Sequence, residues 1–475
     1  MDKLKDNLRR ARNVLSGEDE NGKGNHPGQF DDGVISFADG EGMRRPHPSV
    51  LGAAIKGFFE TEVTSLEKYF FKKKHVELEN AISNDFKKQG IYRENTKNLC
   101  ISSGTSNLFN SFFYSVSEPG DTFLTTPGFY HSLVNWCVIN KIDLDILPFD
   151  SSNNCKISKA QIENWVVENP HKKLRGLILF NPTYFGAVYT AKELEELSRY
   201  VQEKELVVIE DSIFSKTIFE GEIVHLSSFQ SSCNNVVTVD GGSKAFGLAN
   251  LRIGWACGPE KIIERMNFHV QATQVNVPHI IKEMALAALN APSVYLKTNN
   301  IELKRRKDYL ISSIEEINKS LEEKFSIVSP INVLHSPQSG HSILISLDKL
   351  KPKLIERNIY DSIDLTRYFL EECKVAFSPG LSMGFDGYKL RISYGCLGLE
   401  NTYETSLRYE KMNMVNDLVK MKVIEFPEKD LSLKDLEREI SNDFLKSNSI
   451  ISEGLIERVL PSLISLCNTK ELLPS

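Results

Sequence analysis

From about residue 100 the chain alternates short apolar runs with helical patterns, and that alternation confines it to an α/β fold built on a mostly parallel sheet. Strands are expected at 122–126, 142–147, 174–180, 206–210, 236–240 and 252–257. The runs at 174–180 and 206–210 are apolar almost throughout, as central strands covered on both faces require. Between them Thr190 and Glu193 form a capping box, with Leu194, Leu197 and Val201 at helical spacing behind it. One helix therefore crosses over between two parallel strands.

Residues 300–325 read as a long polar helix, and the texture after it is a shorter α+β pattern: a strand at 341–347, a helix at 361–372, strands at 374–378 and 388–394. The expected organisation is a flexible N-terminal arm (1–29), an N-terminal segment packing with the small domain (30–65), a large domain (66–299), a smaller α+β domain (300–415) and a Lys/Glu/Leu-rich helical extension (416–475).

Composition narrows the function. Lys+Arg 57 against Asp+Glu 63 gives a formal net charge of -6, which disfavours a phosphate backbone, so no nucleic-acid partner is expected. The charged, Gly-rich start lacks the apolar core of a signal peptide, and no stretch approaches the roughly 18 apolar residues of a membrane span. A cytoplasmic protein without a membrane partner is expected. Eight scattered cysteines with no C-x-x-C pair and no Cys/His quartet argue for reduced core thiols and no structural metal.

The chemistry concentrates in Thr238–Trp255 (TVDGGSKAFGLANLRIGW). A lysine among small residues beyond a buried strand can approach a bound carbonyl, and burial lowers its pKa enough to free the amine. Arg252, eight residues on, can meet a phosphate bidentately. This pattern resembles the fold type I pyridoxal-phosphate enzymes, specifically the class I/II aminotransferase family, which includes aspartate aminotransferases and aminocyclopropane-carboxylate synthases. The resemblance implies an aminotransferase-like large domain with a smaller α+β domain, and pyridoxal 5′-phosphate as cofactor. By it, Lys244 forms the Schiff base beside Ser243, and Arg252 binds the cofactor phosphate.

Further motifs follow in the family's order across roughly residues 30–415. Asp211, ending the strand Leu206–Asp211, matches the carboxylate that pairs with the pyridine nitrogen and keeps it protonated. Ser103, Gly104, Thr105 and Ser106 lie at a strand end, a Gly turn and a helix start, where free N–H groups suit a phosphate. Phe129 falls in the position that stacks on the pyridine ring, with Tyr130 as the alternative. The stretch Leu177–Gly186 resembles the family's N-P-x-N-P-T-G. Anchored on the strand end, Asn181 becomes the donor to the ring O3′ and reaches the substrate; anchored on Gly186, Thr183 takes that place. Arg391, a guanidinium inside an apolar strand, matches the arginine that holds the substrate α-carboxylate. Gly40, with Asp39 and Glu41, occupies the N-terminal substrate loop, and Tyr69 matches the tyrosine that crosses a homodimer interface to the partner's phosphate.

Several positions depart from the family. Phe214 stands where a tyrosine usually donates to O3′, and Gly241 replaces a serine that commonly helps hold the phosphate. Lys72–Lys74 form either a solvated loop or an anion site near the partner's active centre. Asp39 and Glu41 suit a substrate with a cationic or sulfonium group; the alternative is two surface carboxylates in a turn. The expectation is a homodimeric enzyme acting on a small amino acid substrate, with Lys244 moving the α-proton. Its rivals are elimination, replacement or cyclisation on the same scaffold, and an aminotransferase-like regulator, for which no basic recognition helix is present.

Overall fold

The computed structural model describes residues 1–18, 23–24, 26–38, 40, 46–59, 75–91, 96–395, 397 and 445–467. The chain opens with helix α1 (Asp2–Ser16), strand β1 (Ile35–Ser36) and helices α2 (Pro48–Phe59) and α3 (Val76–Lys88). Strands and helices then alternate: β2 (Leu99–Ser102), α4 (Thr105–Val116), β3 (Asp121–Thr125), α5 (Ser132–Ile139), β4 (Asp143–Ile146), α6 (Lys159–Glu168) and β5 (Lys173–Phe180). They continue through α7 (Ala191–Glu203), β6 (Val207–Asp211), β7 (Val236–Gly241), the single turn α8 (Gly242–Ala245) and β8 (Gly254–Cys257).

Helices α9 (Glu260–Gln274), α10 (His279–Leu289) and α11 (Ser293–Phe325) lead into a second unit. It holds β9 (Asn332–Val333), β10 (Ser342–Ser346), α12 (Lys351–Glu356), α13 (Ser362–Cys373), β11 (Val375–Ala376), β12 (Ser378–Pro379) and β13 (Lys389–Ser393). A π-helix (Ser452–Val459) running into α14 (Leu460–Cys467) completes it.

Seven strands form one sheet in the order β2-β8-β7-β6-β5-β3-β4, parallel except that β8 runs against both neighbours. The apolar run of β5 is buried from Gly176 onward and β6 throughout, because helices cover both faces. The capping box starts α7 as the sequence predicts, with Thr190 Oγ1 accepting from Glu193 N at 3.3 Å and Glu193 Oε2 accepting from Thr190 N at 2.7 Å. Register aligns the ends that matter: Ser102 and Gly241 both pair with Gly254, and Phe180 pairs with Asp211. The C-terminal ends of β2, β5, β6 and β7 thus share one edge with the entry of β8, where open α/β sheets place their ligands.

The second unit is an antiparallel sheet, β12-β13-β10-β9, beside a parallel pair in which Ile35 of β1 lies opposite Val375 of β11. Strand β1 brings the chain leading to Gly40 onto this unit. The stretch expected as one strand over 374–378 is two short strands, β11 and β12. The expected domain boundary at residue 300 falls inside α11, which begins at Ser293.

Two terminal expectations change. Residues 1–29, expected as a flexible arm, contain α1, whose Leu4, Ala11 and Val14 are buried. Arg10 also pairs at 2.8 Å with Asp361, the N-cap of α13. Charged residues hid the helical spacing of these small apolar positions. The extension over 416–475 is helical where described, but it is no appendage. Ile451, Leu455, Val459, Leu463 and Leu466 lie in the same buried cluster as Ile343, Phe369 and Leu390. Among the described residues, no helix is long and apolar enough to cross a membrane.

Candidate active site

The phosphate-sized end of the site forms where β2 turns into α4. Gly104 takes φ +80°, and a Cβ there would lie 2.6 Å from Arg252 Nη2, so the guanidinium rests directly on the turn. Arg252 is itself left-handed, at φ 52°, and Nη1 donates to the Ala249 carbonyl at 2.9 Å. Holding a non-glycine residue there costs free energy that the surrounding fold must offset. The backbone N–H of Ser103 donates to Gln274 Oε1 at 3.1 Å, and that of Gly104 to Ser102 O at 2.8 Å. The N–H groups of Thr105 and Ser106, in the first turn of a twelve-residue helix, have no acceptor among the described residues. A cradle of glycine, two open N–H groups and a guanidinium fits a phosphate.

Next to it, β6 ends in Asp211 and β7 turns through α8 to Lys244. Asp211 Oδ1 accepts from Ile213 N at 3.1 Å. Burial, aided by the charge of Asp240, overrides this N–H and Lys244 and pushes the Asp211 pKa up to about 7. A cation placed against this carboxyl would return it to its ionised form. Lys244 Nζ donates to the carbonyl of Gly40, so the strand leaving β1 closes over the lysine.

The opposite wall is Arg391, on β13 and 7% exposed. Nη1 donates to Tyr184 Oη at 2.7 Å; Nη2 donates to Ser378 Oγ at 2.8 Å and to the Ala38 carbonyl. Its Nε is buried without a hydrogen-bond partner, and no carboxylate among the described residues pairs with it. Its Cζ lies 5.5 Å from the centre of the Tyr184 ring. A Cβ on Gly40 would stand 3.2 Å from Arg391 Nη1 and 3.4 Å from Tyr184 Oη. One glycine therefore touches Lys244 through its carbonyl and faces Arg391 through its α-carbon.

Two expected roles are corrected. Asn181 Nδ2 donates to Glu210 Oε1 at 2.8 Å and to the Val224 carbonyl at 2.7 Å. Both partners are acceptors, which fixes the amide orientation and leaves no N–H for an O3′. Thr183, the alternative, accepts from Ala187 N at 3.0 Å, and its hydroxyl hydrogen has no acceptor among the described residues. Phe129 is completely buried among Phe109, Leu133 and Trp136, and a Cβ on Gly384 would lie 3.0 Å from its ring. A ring that stacks on a ligand needs an open face, and Phe129 has none. Tyr130, the alternative, is 38% exposed and lies 4.5 Å, centre to centre, from His131.

Phe214 lines the wall with its ring edge-on to Tyr184, 5.9 Å away, and to His341, 5.3 Å away. Ser243 sits half-buried beside Lys244. Asp39, Glu41, Tyr69 and Lys72–Lys74 lie outside the described residues. Sequence reasoning missed Tyr184 and Ser378, the two side chains that meet the Arg391 guanidinium. Only Tyr184 left a signal, because it breaks the family's N-P-x-N-P-T-G pattern.

Comparison with known proteins agrees with this arrangement. The family described as aminotransferase class I and II matches residues 33–409. A probable aspartate/prephenate aminotransferase of Rickettsia prowazekii is 26% identical over 346 residues, covering 70% of this chain and 82% of the relative. An aspartate aminotransferase of Streptomyces avermitilis is 26% identical over 344 residues, covering 71% and 79%. Among solved structures, the aspartate aminotransferase of Rhizobium meliloti superposes with a TM-score of 0.68 at 18% identity, covering 96% of each chain. The aromatic aminotransferase of Pyrococcus horikoshii gives 0.67 at 22% identity, covering 82% of this chain and 97% of the other. The family model spans most of the chain and the fold is shared: the chain belongs to the class I and II aminotransferases, a pyridoxal-phosphate-dependent family of enzymes that act on amino acids.

Proposed function

We propose that the chain transfers the amino group of an amino acid, holding pyridoxal 5′-phosphate at Lys244 and the substrate α-carboxylate at Arg391. The observation that carries this is the position of Gly40, in contact with the Lys244 amine and against the Arg391 guanidinium. An amino acid carries an amine and a carboxylate on one carbon: the carboxylate complements the guanidinium, and the amine would take the place of Lys244 on the cofactor carbonyl.

Thr105, Ser106 and Arg252 would hold the cofactor phosphate, and Asp211 would face the protonated ring nitrogen. Pyridoxal phosphate, when bound, supplies an electron sink for the substrate α-carbon. Lys244 Nζ takes the α-proton and returns it, which requires the amine to be neutral in part of the cycle. Arg391 orients the substrate by its carboxylate, and the carbonyls of Ala38 and Gly40 hold the Arg391 guanidinium and the Lys244 amine in place. Members of the family typically pair as dimers, and we assign this chain the same state, with Tyr69 reaching the partner's phosphate site.

Borohydride reduction of the cofactor-loaded protein followed by peptide mass mapping should place the label on Lys244. An amino-acid screen with a 2-oxo acid supplied as acceptor, products identified by mass spectrometry, should return the 2-oxo acid of the donor together with the amino acid of the acceptor, and no free ammonia. A label on another lysine, or products of elimination alone, overturns the assignment.

A further inference from the structure

Resting on the assignment of Arg391 to the substrate carboxylate, we propose that Tyr184 is a second carboxylate-binding group: its phenol oxygen anchors the guanidinium and its O–H hydrogen donates to the same carboxylate. Tyr184 is 8% exposed and sits in the loop between β5 and α7. Its oxygen accepts from Arg391 Nη1 at 2.7 Å, which uses one lone pair. The phenol hydrogen has no acceptor among the described residues, and Arg391, a cation with N–H groups only, cannot accept it. A buried hydroxyl with its hydrogen unspent costs free energy until an acceptor arrives. The anion that docks on Arg391 is such an acceptor, because it lies within one hydrogen-bond length of a group that itself touches the phenol.

Packing does not require this hydroxyl. The ring makes edge contacts with Phe185 at 5.7 Å and Phe214 at 5.9 Å, which a phenylalanine would reproduce. Phe214, on the same wall, offers no polar atom, so Tyr184 is the phenol of this wall. Its ring also flanks the guanidinium, with Cζ 5.5 Å from the ring centre, so the hydroxyl and the ring restrain the same cation. Gly40 leaves the third side open, since a Cβ there would crowd both Arg391 Nη1 and Tyr184 Oη.

The test uses two probes on the cofactor-loaded protein, read as the rapid absorbance change on binding, before any turnover. 2-Methylalanine carries an amine and a carboxylate but no α-proton; 2-aminopropane is the same amine without the carboxylate. Their ratio of dissociation constants isolates the carboxylate contribution. Tyr184→Phe should cut this preference by about ten- to a hundredfold, the worth of a hydrogen bond to a charged group, while leaving the affinity for 2-aminopropane within twofold. Arg391→Gln should abolish the preference. If Arg391→Gln abolishes it and Tyr184→Phe leaves it within twofold, the role of Tyr184 is overturned and the assignment of Arg391 stands. If Tyr184→Phe weakens both probes equally, Tyr184 is a packing residue and the proposal fails. If the wild type shows no preference for the carboxylate, the assignment of Arg391 fails first.

Discussion

At one end of the cleft, Gly104, Thr105, Asp211, Lys244 and Arg252 stand at the ends of four strands that are neighbours in one sheet, β2, β8, β7 and β6. At the other end, Arg391 is held by Ala38, Tyr184 and Ser378, which come from three widely separated stretches and both units of the molecule. The first end is rigid because each group lies in, or within three residues of, a strand whose hydrogen bonds fix it. The second end is a convergence, complete only when the strand leaving β1, the β5–α7 loop and the small sheet are docked together. Cofactor retention should therefore respond to local changes in the turns, and carboxylate recognition to changes far along the chain.

Lys244, at the sheet end, meets the carboxylate end through Gly40, and its removal gives the largest effect. Lys244→Ala should lose turnover by about three orders of magnitude or more for every amino acid tried, since it removes the attachment point and the proton carrier together. A loss confined to one substrate would place the lysine at the carboxylate end only.

The glycines separate the ends. Gly104→Ala forces a side chain into φ +80° with its Cβ 2.6 Å from Arg252, a strain of about 1–3 kcal/mol. It should weaken retention of pyridoxal phosphate roughly ten- to a hundredfold and leave the preference for 2-methylalanine over 2-aminopropane intact at saturating cofactor. Gly40→Ala should do the converse and more mildly, because its Cβ meets Arg391 at 3.2 Å and a shift of a few tenths of an ångström relieves it. Dialysis followed by cofactor absorbance, and the two-probe titration, read the two effects separately. If each variant damaged both properties equally, the division of the cleft would be wrong.

The division also shows in what the sequence discloses. The phosphate end was legible because strand, glycine turn and helix start are contiguous, and the lysine and arginine share one short segment. At the carboxylate end only Arg391 stood out, through the cost of a guanidinium in an apolar strand. Tyr184 and Ser378 are ordinary loop and strand residues until tertiary structure brings them to Arg391. Asn181 misled because its chemistry suits a donor, yet Glu210 and Val224 take both its hydrogens. Phe129 misled for the same reason, being placed correctly in sequence but turned into the core. The fold itself was legible from strand spacing, while α1 and the C-terminal helices were not recognised as core because charged residues masked their apolar faces.

Asp211 gives a pH effect confined to the sheet end. Its folded pKa, about 7, lies above the ordinary carboxyl value, so its contribution to stability is complete in acid and is lost as pH rises through 7. The cofactor-free protein should thus lose melting temperature between about pH 4 and 7 relative to Asp211→Asn. Loading with pyridoxal phosphate should remove the difference. An identical pH profile for both cofactor-free proteins would mean that Asp211 stays ionised without a cation.

The smallest effect tests how far the carboxylate end extends. Gly454 lies in the C-terminal π-helix, beyond the stretch matched by the family, and a Cβ there would be 2.6 Å from the ring of Phe37. Phe37 is stacked on Phe377 at 5.6 Å and is fully buried, so the ring cannot simply turn away. Gly454→Ala must displace it, at about 1–3 kcal/mol for an overpacked core. Phe37 is one residue before Ala38, whose carbonyl accepts from Arg391, and three before Gly40, which covers Lys244. The displacement should reach the substrate as a rise in KM of a few-fold at nearly constant kcat, with cofactor retention unchanged. An unchanged KM in a variant with a lowered melting temperature would show that the C-terminal helices stabilise the small unit without setting the position of the substrate strand. Then the convergence at Arg391 would end at β1.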